Sequence, residues 1–324
     1  MKVAQTAQGH LIRAEEAVKS QLKTGFFCPK CQKAVHLHCG GQKAPYFAHI
    51  AHYVPGGGEG LAHQVGKQAI AELASMLNWQ VTFEAAIGFE QRADVFLTQH
   101  QQQLIVEYQC SPLTPSKLNQ RTLGYRRQHL PVQWVVGDRY RFVKHHLSQQ
   151  QLGFISYRRQ WGFYVVCYSV KQHQWLLYHH IVARDFVGYA WQTAYLTTVE
   201  FGQLILKQSA LPSVGASGDS IQVQQRQVIR NLGLQEPHCL ALQAACYARR
   251  QRLQNVPMWC YCTQNVPPIY QLNQFESRVS WWLAKQPIMA FLTYAPLLQQ
   301  PLFEQSSFEQ WGQVALVRTI KKEP

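Results

Sequence analysis

The sequence predicts an α/β protein. A mixed-sheet core flanked by helices follows a small metal-binding subdomain and precedes a mostly helical part. Three observations carry this. Residues 61–137 read helix, strand, strand, strand, helix, strand, the order of a layered α/β unit. Residues 28–52 concentrate Cys and His. Residues 221–324 are Gln-rich and helical by pattern, with prolines at 257, 267 and 268 as breaks.

Residues 1–55 mix short strand-like runs with the Cys/His cluster, and VPGGGEG (54–60) is a glycine hinge. LAHQVGKQAIAELASMLNW (61–79) is an amphipathic helix, with Leu61, Val65, Ile70, Leu73 and Leu77 on one face. VTFEAAI, RADVFLT and QLIVEYQ are strands, the last two joined by a polar turn. Turn prolines then lead into a basic helix up to residue 130, and PVQWVVG (131–137) is another buried strand. FISYRR, FYVVCYSV and WLLYHHIV (154–182) form a β meander, and LPSVGASGDS (211–220) is a linker. The expected domains are 1–55, 56–210 and 211–324.

The chain has 324 residues, 47% of them hydrophobic, enough for a sizeable core. Its 31 Lys and Arg against 17 Asp and Glu leave a net charge of +14, which favours a polyanionic partner. No run of about 18 apolar residues exists to span a membrane, and the N-terminus lacks the apolar core of a signal peptide. A cytoplasmic location is expected. Nine irregularly spaced cysteines do not form a secreted disulfide pattern.

Cys28-Pro-Lys-Cys31 has the spacing of a zinc knuckle. His49 and His52 suit a second ligand pair, with His36, His38 and Cys39 as alternatives. Such a zinc would staple a subdomain too small to hold itself.

In LIVEYQC, Glu107 and Gln109 share one strand face and Val106 and Tyr108 the other. Asp94 lies in the preceding run, and an antiparallel hairpin brings it near Glu107. Two converging carboxylates repel unless a cation separates them, and Mg²⁺ or Mn²⁺ suits oxygen ligands. Glu59, His63 and Lys67 stand at i, i+4 and i+8, so Glu59 can complete the metal shell and Lys67 can offset phosphate charge. The plainer reading of that stripe is a solvated helix face. Arg121 and Tyr125 share a face of the next helix, within reach of a scissile phosphate.

These residues resemble the PD-(D/E)XK nuclease superfamily and, within it, the competence protein CoiA family. The match runs through CPKC with YFAH, Glu59-x-x-x-His63-x-x-x-Lys67, Ala93-Asp94-Val95, Glu107-Tyr108-Gln109-Cys110-Ser111-Pro112-Leu113, Arg121-x-x-x-Tyr125 and QWVVG. It covers residues 1 to about 140 well and extends into the meander. The resemblance implies a nuclease-like mixed sheet and a role in processing or recombining imported single-stranded DNA during natural transformation, beside the recombinase. It makes Asp94 and Glu107 metal ligands, with Glu59 as a third. Two positions depart from the pattern. Gln109 stands where the superfamily has a lysine, and Tyr46 where the family has a histidine.

The expected function is a zinc-stapled, Mg²⁺- or Mn²⁺-dependent nuclease of single-stranded or branched DNA. Asp94 and Glu107 hold the metal, and Arg121 and Lys67 steady the phosphate. The rivals are an accessory DNA-binding protein that cuts little, an RNA-directed protein, and a scaffold whose C-terminal helices recruit a recombinase. Aromatics in the meander and Cys239, Cys246, Cys260 and Cys262 read as core residues first, and as base-stacking or metal groups second.

Overall fold

The computed structural model describes residues 1–20, 25–29, 32, 34–39, 44–49, 60–88, 91–213, 219–285, 294, 295, 298 and 302. The chain divides into two compact units, Met1–Leu61 and Ala62–Pro324.

The first unit holds β1 (Val3–Thr6), β2 (Leu11–Arg13), α1 (Ala14–Lys19), β3 (Phe26–Phe27), β4 (Ala34–His38) and β5 (Tyr46–His49). The strands form one antiparallel sheet in the order β2-β1-β3-β4-β5. Among the described residues its core holds Ala4, Ala14, Ala17, Phe26, Cys28, Val35 and Phe47. Three of these seven are alanines, so the apolar area removed from water is modest.

The second unit is built on α2 (Leu61–Met76), β6 (Gln80–Ile87), β7 (Gln91–Gln99), β8 (Gln102–Gln109), α3 (Pro115–Arg127) and β9 (Val132–Val136). It continues with α4 (Gln149–Gly153), β10 (Ser156–Arg158), β11 (Gly162–Ser169), β12 (Gln174–Arg184), β13 (Gly188–Leu196) and α5 (Thr198–Leu206). One mixed sheet runs β13-β12-β11-β9-β8-β7-β6, with β10 beside β11. β8 is parallel to β9 and β9 to β11, and the other pairs are antiparallel. Helix α3 is the crossover that a parallel β8–β9 pair requires. The expected meander is therefore a continuation of the same sheet.

The alternation along β8 sorts side chains to two faces. Val106 and Tyr108 join Ile70 and Leu73 of α2 in one core cluster, and Ile105 packs with Tyr125 of α3 in another. Gly66 lets α2 lie against Tyr108: a Cβ there would fall 2.1 Å from the ring. Leu61, expected on the apolar face, is instead 75% exposed. It is the first helical residue, and contact with the sheet begins one turn later, at Val65 and Gly66. The FISYRR run is strand only over Ser156–Arg158, because Phe154 caps the short helix α4.

Helices α6 (Ile221–Gly233), α7 (Pro237–Ala248) and α8 (Gln274–Ala284) follow. Residues between them enter the sheet's own core: Cys262, Val266, Ile269 and Tyr270 pack with Trp134 and Tyr178. Cys239 and Cys246 of α7, and Cys262, are buried thiols whose pKa burial raises. Asp185, in the β12–β13 turn, accepts the backbone N–H groups of Gln274 (2.8 Å) and Phe275 (3.0 Å) at the start of α8. Burial pushes its pKa up to about 6 despite those two donors.

Two stability measurements check this packing. Gly66→Ala gains helix propensity but overpacks Tyr108, and we expect a net loss of about 1–3 kcal/mol in urea unfolding. Asp185→Ala strands two buried N–H groups, and we expect a loss of about 1–3 kcal/mol by the same assay.

Candidate active site

The site forms where β7 and β8 part. Their ladder runs from Gln99↔Gln102 to Val95↔Val106. At the next step the backbone N–H of Tyr108 donates to the Asp94 carboxylate, 2.9 Å away. A side chain thus takes a bond that a carbonyl would otherwise take. His63 of α2 approaches the same Asp94 oxygen through Nε2 at 3.1 Å.

Glu107 is 0% exposed at the middle of the sheet. Arg121 donates to one of its oxygens from Nη2 at 2.5 Å, and the Tyr125 hydroxyl donates to the other. The i, i+4 spacing on α3 puts both donors over the strand. The Arg121 guanidinium also stands over the Trp134 ring, 5.4 Å from its centroid.

The two carboxylates stand on neighbouring strands, one step beyond the Val95↔Val106 pair, and the charge of Asp94 acts on Glu107. Burial, together with the negative charge of Asp94, pushes Glu107 up to about 8. Asp94 is held below its usual range: His63 and the Tyr108 N–H outweigh its own desolvation. In metal-free protein the pair therefore keeps one proton near neutrality, on Glu107. This is the response of paired buried acids when no cation separates them.

The remaining predicted residues have other partners. Lys67 is 6% exposed, and its ammonium binds Glu84 of β6. Glu84 also takes Arg92 Nε at 2.6 Å. Its φ of +52° sits between Phe83↔Val95 and Ala85↔Ala93 in the β6–β7 register. A positive φ at a non-glycine residue costs roughly 1 kcal/mol or more, which the two cations help to offset. Gln109 donates through Nε2 to the Ser111 carbonyl (2.7 Å) and hydroxyl (3.0 Å), so its amide ties down the turn after β8. Tyr140 holds the same turn, donating to the Ser111 carbonyl and accepting from Leu113 N. Glu59 lies outside the described residues.

Sequence reasoning set Asp94 near Glu107 and gave Arg121 and Tyr125 to a phosphate; in the fold both helix residues bind Glu107 instead. It named His63 only as part of a stripe and did not name Glu84. An acid inside the VTFEAAI strand was the available signal.

A groove of about 610 Å³ runs beside Arg121 between α3 and the β6–β7 turn. Arg92, Arg127, Gln91, Gln120 and Gln128 line it. Its cations and amides suit a phosphate backbone.

In the first unit, His36 and His38 are exposed on β4, while Val35 just before them and Cys28 enter the core. Tyr46 stacks on His38 with ring centroids 5.1 Å apart. The β4–β5 register sets His49 opposite Val35. Cys31, His52 and the His49 side chain lie outside the described residues. Among the described residues, no group of three His, Cys, Asp or Glu is set to hold a metal ion. By donor chemistry, Asp94 and Glu107 suit a hard cation, and the Cys28 thiol suits zinc.

Residues 59–209 match the model described as "Competence protein CoiA, nuclease-like domain", and residues 11–53 match "Competence protein CoiA, N-terminal domain". The chain belongs to the competence protein CoiA family. The CoiA nuclease-like match spans the acid pair and its partners from Glu59 to Tyr140. The chain is also similar to the competence protein CoiA of Bacillus subtilis (strain 168), 28% identical over 186 residues. That alignment covers 53% of this chain and 48% of the relative, so the chain spans about half the relative's length. No solved structure matches it. Among the described residues, no helix is long and apolar enough to cross a membrane.

The paired acids predict a pH signature in EDTA. Glu107 holds its proton more tightly folded than unfolded, where it titrates near 4.5. Its contribution to stability is therefore full below about pH 4.5 and lost as pH rises through about 8. Unfolding followed from pH 4 to 9 should show this decline in wild type, and a weaker decline in Glu107→Gln.

Proposed function

We propose that this CoiA-family protein is a metal-dependent DNA nuclease acting on single-stranded or branched DNA. The observation that carries the reading is a pair of buried acids on neighbouring strands, Asp94 and Glu107, with Arg121 reaching from Glu107 to a cationic groove. Buried acids brought together at a loss of solvation need a compensating charge, and Mg²⁺ or Mn²⁺ supplies it. When bound, such an ion polarises a phosphodiester and lowers the pKa of its water.

The protein's own groups do the positioning. His63 and the Tyr108 N–H aim the Asp94 carboxylate. Tyr125 fixes Glu107, and Arg121 stands between Glu107 and the groove as a counter-charge for phosphate. Lys67 acts at one remove, by holding Glu84. The net charge of +14 and the absence of acids from the described groove lining fit DNA as the polyanion. In the first unit, zinc held by Cys28, Cys31, His49 and His52 would staple the small core.

A second reading has its own observation. Arg121 and Tyr125 occupy both oxygens of Glu107, and Gln109, in place of a lysine, spends its amide on Ser111. A protein that binds DNA and assists a recombinase without cutting would keep such an arrangement.

The deciding experiment incubates labelled single-stranded, duplex and branched DNA with Mn²⁺, Mg²⁺ or EDTA. We expect metal-dependent cutting by wild type that Asp94→Ala and Glu107→Ala abolish, and that Tyr125→Phe lowers by about tenfold or more. Tight binding with no cutting under any metal would sink the nuclease reading and leave the accessory one. For the knuckle, elemental analysis should find one zinc per chain, lost in Cys28→Ser. Metal-free wild-type protein would refute it.

A further inference from the structure

We propose a second single-stranded DNA contact in the C-terminal part: a pocket that stacks an unpaired base. It lies outside both matched segments. This inference takes DNA as the partner from the reading above but does not need the chain to cut it.

The pocket holds about 360 Å³, at the lower end of the ~300–1,000 Å³ typical of small-ligand sites. Its walls are Trp259, Trp281 and Trp282, and Arg249, Gln251 and Lys285 stand around them. The described lining carries two cations and no acid. The indoles of Trp259 and Trp281 meet edge to face, with centroids 5.4 Å apart.

The walls are held rigidly. Arg278, 3% exposed, donates to the Trp259 carbonyl at 2.9 Å and to Cys262 Sγ at 3.6 Å. Trp281 packs against the sheet's core and Trp282 against the core of α6–α8, so neighbouring residues of α8 are anchored on two sides. Yet all three indoles remain only half-buried. Three partly open indoles ringed by exposed cations are a poor solution for packing. They are a good one for a flat π-face with a phosphate on either side. The surroundings agree: residues 219–285 carry seven Lys and Arg against Asp219, Glu236 and Glu276.

The test uses the full chain in EDTA, with binding read by anisotropy of a labelled oligothymidylate of about 12 nucleotides. A strand of equal length lacking bases is the second probe. The variants are Trp282→Ala, Trp282→Phe and the exposed double reversal Arg249→Glu/Lys285→Glu. We expect wild type to bind oligothymidylate about tenfold or more tightly than the abasic strand, the scale of one lost stack. Trp282→Ala and the double reversal should each weaken oligothymidylate binding by about tenfold. Trp282→Phe should restore most of it, and Trp282→Ala should leave abasic binding unchanged. Equal affinity of wild type for the two strands, or wild-type affinity in the charge reversal, would overturn the proposal and favour a peptide as occupant. Because this readout needs no metal, absent cleavage with intact stacking would refute the nuclease reading alone.

Discussion

The structure of the site depends on how a carboxylate is kept at the centre of a sheet. Glu107 has no access to water, so every compensation must come from protein. Arg121 and Tyr125 supply it from one face of α3, and Glu107 holds on to its own proton beside the charge of Asp94. The position of α3 over β8, the parting of β7 from β8, and the seating of α2 on Tyr108 all serve that one group. Removing either donor leaves a buried carboxyl group short of a hydrogen bond, so the site and the core are not separable.

Much of this was legible in the sequence because it rests on simple periods. A strand's period of two puts Glu107 and Gln109 on one face, and a helix's i, i+4 spacing puts Arg121 and Tyr125 on another. A short polar turn between two apolar runs implies the hairpin that joins Asp94 to Glu107. What was not legible depends on exceptions to period. Lys67 goes to Glu84 because a positive φ at Glu84 departs from the regular strand, and no pattern of apolar residues announces that. Gln109 turns to Ser111, and its partner is a loop oxygen whose place only the folded turn defines. β13 and α5 have mixed composition: β13 is ordered by the sheet edge it completes, and α5 by packing Phe201 into the core of that sheet.

The two units rely on different physics. The second has layered cores on both faces of a long sheet, with segments after residue 219 contributing to them. Among the described residues, the first has a core of seven, three of them alanine, under a five-stranded sheet. A covalent or metal staple matters far more in such a unit than in one with a large core.

The bond from Tyr108 N–H to Asp94 carries a consequence for how such chains are compared. One carboxylate oxygen closes the end of a hairpin and also faces the candidate chemistry. Whether or not a relative cuts DNA, it gains from keeping that aspartate, because losing it leaves the buried Tyr108 N–H without its acceptor. The aspartate is therefore a marker of the architecture. Among relatives, activity is to be read from the groups that the backbone does not need.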